Sequence, residues 1–152
     1  MSSSPEDFFK SIEEEVQATQ DAAKHRSQTL AQGRDLISEQ MPTIWTQLYE
    51  EFQSYCEAYN KDKKTGMLVF SLGTSYLFVV RKDGKSDALT GLYDPSTKQI
   101  KLEANNCQYA DWLVPKVRLE GEGSVVLVSS LTRTTMDVTS IVKKALRELL
   151  VH

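Results

Sequence analysis

Histidine is scarce in this chain, and the short motifs left by catalysis and cofactor binding are absent. The two histidines are His25 and His152. His25 stands between Lys24 and Arg26, with no cysteine or second histidine at ligand spacing. His152 follows the last apolar-patterned stretch at the frayed end of a helix, and we expect neither histidine to bind a metal. No GxSxG elbow accompanies the serines, so a Ser-His-acid hydrolase has no support. Gly121-Glu122-Gly123 lacks the downstream Gly-Lys-Ser/Thr of a phosphate loop. We therefore expect no catalytic residues and no cofactor.

Cysteine is equally sparse. Cys56 and Cys107 form no CxxC pair, and Cys56 reads as a small buried hydrophobe on a helix. No run approaches the roughly 18 apolar residues of a membrane span. The opening MSSSPEDFFK has no basic region followed by an apolar stretch, so it does not read as a signal peptide. The expected setting is cytoplasmic, without a membrane partner. A net charge of −3 argues against broad nucleic-acid binding. Arg81, Lys101, Lys116 and Arg118, interleaved with Tyr76, Phe78 and Trp112, then read as a solvated sheet face. Glu13, Glu14 and Glu15 are consecutive and fan around a helix. Asp83, Asp87 and Asp94 take turn positions and lack the alternating pattern of a calcium loop.

What is present is a chain of two unlike parts. Met1 to Asp62 carries five basic and twelve acidic residues, and Lys63 to His152 thirteen and nine. The first part is helical in pattern. Ser4 is placed to cap, Pro5 suits the first helical position, and Glu6 and Asp7 favour the positive end of the dipole. Phe9, Val16, Ala23, Leu30 and Ile37 recur every seven residues. The intervening heptad positions, Ile12, Thr19, Arg26 and Gly33, are poor, which leaves one thin stripe. Pro42 is expected to kink or restart the helix. Beyond it Trp45, Tyr49, Phe52, Tyr55 and Tyr59, with Met41, Leu48 and Cys56, make a broad apolar side suited to covering a sheet.

The second part reads as about six short strands near 67–72, 76–81, 87–93, 98–104, 109–119 and 124–131. Turn signals separate them, among them Asp83-Gly84 and Asp94-Pro95. Pro115 points to an edge position or a bulge. The run Val125-Val126-Leu127-Val128 suggests burial on both faces. A helix over 137–151 closes the chain. The fold class is α+β: two N-terminal helices, long and kinked near Pro42, an antiparallel meander of about six strands, and a C-terminal helix. We expect a single domain over 1–152, with 1–40 as a protruding helical arm.

Two functional readings follow. As helix, Ser4 to Gln40 would be roughly 55 Å long, more than a compact domain of this size spans. Phe9, Val16, Ala23, Leu30 and Ile37 would then form an interface. The protein is read as a non-catalytic interaction or adaptor-type protein that forms a homodimer, or meets a partner protein, through its N-terminal helices. The alternative is a small hydrophobic-ligand binder, with Trp45, Tyr49, Phe52, Tyr55 and Tyr59 lining a cavity between helix and curved sheet.

Overall fold

The computed structural model describes residues 4–119 and 123–152. Gly121 and Glu122 of the expected turn lie outside the described residues. Two compact units divide between Asp35 and Leu36. One helix, α1 (Pro5–Asn60), contributes to both. The expected pair of N-terminal helices is therefore corrected to one, since α1 runs through Pro42 without a break. Proline withholds one donor from the Ser38 carbonyl. Both Ser38 and Pro42 are exposed, so water can serve that carbonyl. Met41, Trp45 and Leu48 are buried and hold the helix on its core through this point.

In the first unit, the helix begins as its residues dictate. The Asp7 amide donates to Ser4 Oγ at 3.2 Å, and the Phe8 amide to the Ser4 carbonyl. Along residues 5–35 nearly every side chain is exposed; Thr29 and Gly33 are half-buried.

In the second unit, seven antiparallel strands follow the chain in simple order: β1 (Leu68–Leu72), β2 (Leu77–Lys82), β3 (Ala88–Asp94), β4 (Gln99–Ala104), β5 (Ala110–Arg118), β6 (Ser124–Ser129) and β7 (Thr135–Met136). The expected six become seven because Thr135–Met136 pairs with β6 across the turn at Arg133. A two-residue strand is too short to show alternation. The last element is α2 (Val138–Val151), capped by Asp137, whose carboxylate accepts from the Ser140 amide at 2.7 Å.

One face of the sheet carries the core. Phe78, Val80, Leu89, Tyr93, Ile100, Leu102, Leu113 and Leu127 are all buried there. Met41, Trp45, Leu48, Phe52 and Cys56 of α1 meet them, joined by Ile141, Val142, Ala145, Leu146 and Leu149 of α2. Asn60 ties the end of α1 to β1, since its side-chain amide both donates to and accepts from the Leu68 backbone at 2.7 Å. Thr139 Oγ1 on α2 donates to Glu51 Oε1 on α1.

Pro115 lies in an internal strand, not at an edge. It pairs with Leu127 of β6, while the β4 pairing of β5 ends at Leu113. The Ser130 amide donates to the Trp112 carbonyl, which fixes the alternation, so the Pro115 nitrogen faces the side that β4 has vacated. No ladder bond is lost. The opposite face of the sheet has no helix of residues 36–152 over it. Val126 and Val128 on that face are therefore half-buried by their neighbours, and the expectation of burial on both faces holds only in part.

Candidate functional site

The predicted interface stripe divides between the units. Phe9, Val16 and Leu30 are 61%, 51% and 64% exposed, and Ala23 is exposed too. Ile37 differs: it is half-buried and packs against the core of the second unit. Two further apolar residues join the stripe at its start, Phe8 and Ile12, both exposed. The rings of Phe8 and Phe9 meet edge to face, with centroids 5.4 Å apart. Such a run of uncovered large side chains differs from the scattered exposed leucines of an ordinary surface. His25 lies in the same stretch, exposed, and its carbonyl accepts from Thr29 Oγ1.

The charges of this stretch are segregated. Glu6, Asp7, Glu13, Glu14, Glu15 and Asp21 face one cation, Lys10, in the first half. Lys24, Arg26 and Arg34 outnumber Asp35 in the second. Local hydrogen bonds are those of a solvated helix, such as Gln17 Nε2 donating to Asp21.

The five aromatic residues of the alternative reading lie together along α1, but in different surroundings. Trp45 and Phe52 are buried. The Trp45 ring stacks on Tyr93 at 5.8 Å and lies 5.4 Å from Phe78, and Phe52 meets Phe78 at 4.8 Å. The space between helix and sheet at this point is filled by those rings. Tyr49, Tyr55 and Tyr59 are half-buried at its margin. Lys63 Nζ sits 4.1 Å over the Tyr59 ring. Tyr55 borders an open cleft with Gln47, Glu51 and Val138. Burial, reinforced by Glu57, pushes the Cys56 thiol up to about 11, so this cysteine is an inert member of the core.

Sequence reasoning missed Asp111. It is 1% exposed on β5, and its carboxylate accepts from Ser129 Oγ at 2.6 Å, Ser130 Oγ at 2.9 Å, and the amides of Ser130 and Leu131. Four donors on one carboxylate staple the β6–β7 turn to β5. No histidine is among its partners and the Ser129 hydroxyl also receives the Thr132 amide, so the cluster is a structural lock. The hint in the sequence was an aspartate among the apolar residues that open β5, ahead of a distant Ser-Ser pair.

Of the sheet's cations, Arg81, Lys101 and Lys116 lie on the face away from the core, and of these Lys101 pairs with Trp112. Lys101 is engaged with Glu103 at 3.3 Å and with the Trp112 ring at 5.6 Å. Tyr76 lies in the turn before β2 and meets Tyr93 edge on, while Phe78 faces the core. The structure thus separates the aromatics that a base-stacking platform would need together.

Among the described residues no helix is long and apolar enough to cross a membrane. One group of potential metal ligands gathers among them, formed by Cys107, Glu148 and His152. Compared with known proteins, the chain matches no family model, no curated protein and no solved structure.

Proposed function

We infer that this is a non-catalytic interaction protein that self-associates through residues 5–35 of α1. The observation that carries the reading is the exposed run Phe8, Phe9, Ile12, Val16 and Leu30. Each large apolar side chain removed from water contributes about 1.5–3 kcal/mol, so a second stripe laid on this one has a substantial driving force. The charge pattern favours a second copy of the same chain as the occupant. Two parallel copies would bring Glu13, Glu14 and Glu15 against themselves. Two antiparallel copies set the acidic first half of each against the Lys24–Arg34 half of the other.

The heptad supports the same arrangement. In antiparallel register Phe9 meets Gly33 of the second copy, a large side chain over an absent one, and Leu30 meets Ile12. Val16 then meets Arg26, whose long stem can cover it while the guanidinium reaches the glutamates nearby.

Sedimentation velocity with light scattering tests this. At tens of micromolar the chain should have twice its 17.2 kDa mass. Replacing Phe9, Val16 and Leu30 together by aspartate should return it to one copy, with near-ultraviolet circular dichroism from the buried Trp45 unchanged. A wild-type chain that stays single at that concentration would overturn the reading.

A further inference from the structure

The β4–β5 turn and the end of α2 build a second candidate site, unrelated to the helix stripe. We propose that Cys107, Glu148 and His152 form a binding site for a divalent transition metal ion, with zinc the ion of best fit. The donor set is a thiol, a carboxylate and an imidazole, the mixture that zinc takes and that calcium and magnesium, which demand oxygen, do not.

The geometry is close to what zinc needs. Glu148 and His152 are one turn apart on α2, and Glu148 Oε2 lies 3.3 Å from His152 Nε2. Two donors sharing a tetrahedral zinc, at ~2.0–2.1 Å each, stand about 3.3 Å from one another. That pair needs no rearrangement. One donor atom from each of the three residues, the Cys107 sulfur included, lies within 4.8 Å of the other two. Closing onto a zinc–sulfur bond of ~2.3 Å brings it in by about 1 Å, within the reach of one side-chain torsion.

The turn is fastened where the site requires it. Asn106 Nδ2 donates to the Leu149 carbonyl at 2.9 Å, and Cys107 Sγ lies 3.8 Å from the Glu148 carbonyl. The neighbouring residue of the cysteine thus pins the turn to the helix that supplies the other two ligands. Asn106 Oδ1, on the same residue, is buried without a hydrogen-bond partner, an acceptor left open beside the cluster. The three ligands line an open cleft of about 570 Å³, together with Asn106, Tyr109 and Lys144. The opening leaves the fourth position to water or to an incoming ligand. On binding, the metal displaces the Cys107 thiol proton to solvent and the sulfur ligates as thiolate.

Sequence spacing hid the site, since Cys107 and the Glu148–His152 pair are joined only by the fold. Without a metal, Glu148 and His152 would make only a helix-end contact beside a half-buried cysteine, and metal titration tells the two apart. Cobalt(II) titrated into the full chain should give a 1:1 complex with the thiolate charge-transfer band and the intense visible bands of a tetrahedral site. Cys107→Ser should abolish the charge-transfer band, whereas Cys56→Ala should leave it. By competition with a chromophoric chelator, His152→Gln and Glu148→Gln should each weaken zinc by about tenfold or more, the scale on which even outer partners of a ligand act. The variants' unfolding midpoints without metal should stay near wild type, and the rise that zinc gives should be lost. No complex at micromolar zinc, or a band indifferent to Cys107→Ser, would overturn the proposal.

Discussion

At the scale of the residue, Gly91 passes close against the Phe78 ring. A β-carbon added at Gly91 would lie 2.2 Å from the Phe78 ring, so the ring would have to move. That ring is also in contact with Trp45, Phe52 and Phe70, and has nowhere to go without disturbing them. Gly91→Ala should destabilise the second unit by about 1–3 kcal/mol or more in urea titration. Pairing it with Phe78→Leu should cost less than the two single changes summed, because the smaller side chain frees the volume the methyl needs. Strict additivity would show that the two positions do not compete. Asp137 and Asp94 carry a second residue-scale prediction. Donation from Ser140 holds the Asp137 carboxyl below its usual 3.8, and donation from Ser96 does the same for Asp94. A carboxyl lowered in the folded state adds stability above its unfolded value and loses it as the pH falls through the folded one. Stability should therefore decline on acidification below about pH 4, and Asp137→Asn, which can still cap α2, should show a shallower decline. Urea midpoints between pH 6 and pH 2.5 would measure both slopes.

At the scale of the element, the strands were legible because alternation and turn chemistry agree. Ile100, Leu102 and Ala104 point to the core and Gln99, Lys101 and Glu103 away from it, as their order in the chain implies. The Ser4 cap and the start of α2 were legible for the same reason: a local donor meets a local acceptor. What failed is instructive. Pro42 carries a strong local penalty, but the apolar anchors on either side outweigh one lost bond on a wet surface. Pro115 signals an edge by its chemistry, yet it lies in an internal strand whose β4 neighbour stops short of it. Whether a proline's missing donor matters depends on what stands opposite it, and pairing partners are not written in the strand itself. Cys107, Glu148 and His152 failed to register for the same reason, since their meeting depends on how the β4–β5 turn reaches α2.

At the scale of the whole molecule, the two parts of α1 obey different rules. Residues 41–56 bury their apolar side within their own unit. Residues 5–35 leave theirs uncovered, and the proposed association follows from that difference. Orientation is the feature that separates charge-guided pairing from unspecific stickiness. A spin label at Lys10 of each copy should give a separation of about 33 Å in the antiparallel register centred near Asp21, twice the axial rise from that centre. A parallel pair would bring the labels together at lateral helix spacing, roughly 10–20 Å including the label arms. A short distance with intact association would retain the dimer and discard the role assigned to the charges.

The meander itself has a consequence for how the chain comes into being. Every strand is laid beside the one made just before it, so the sheet can grow hairpin by hairpin as it leaves the ribosome. The receiving side of the helix has no such luxury. Trp45 and Phe52 emerge well before Phe78 and Tyr93, the rings that will cover them. For the interval between the emergence of Trp45 and Phe52 and that of Phe78 and Tyr93, the nascent chain carries a naked aromatic ledge fit for capture by holding chaperones.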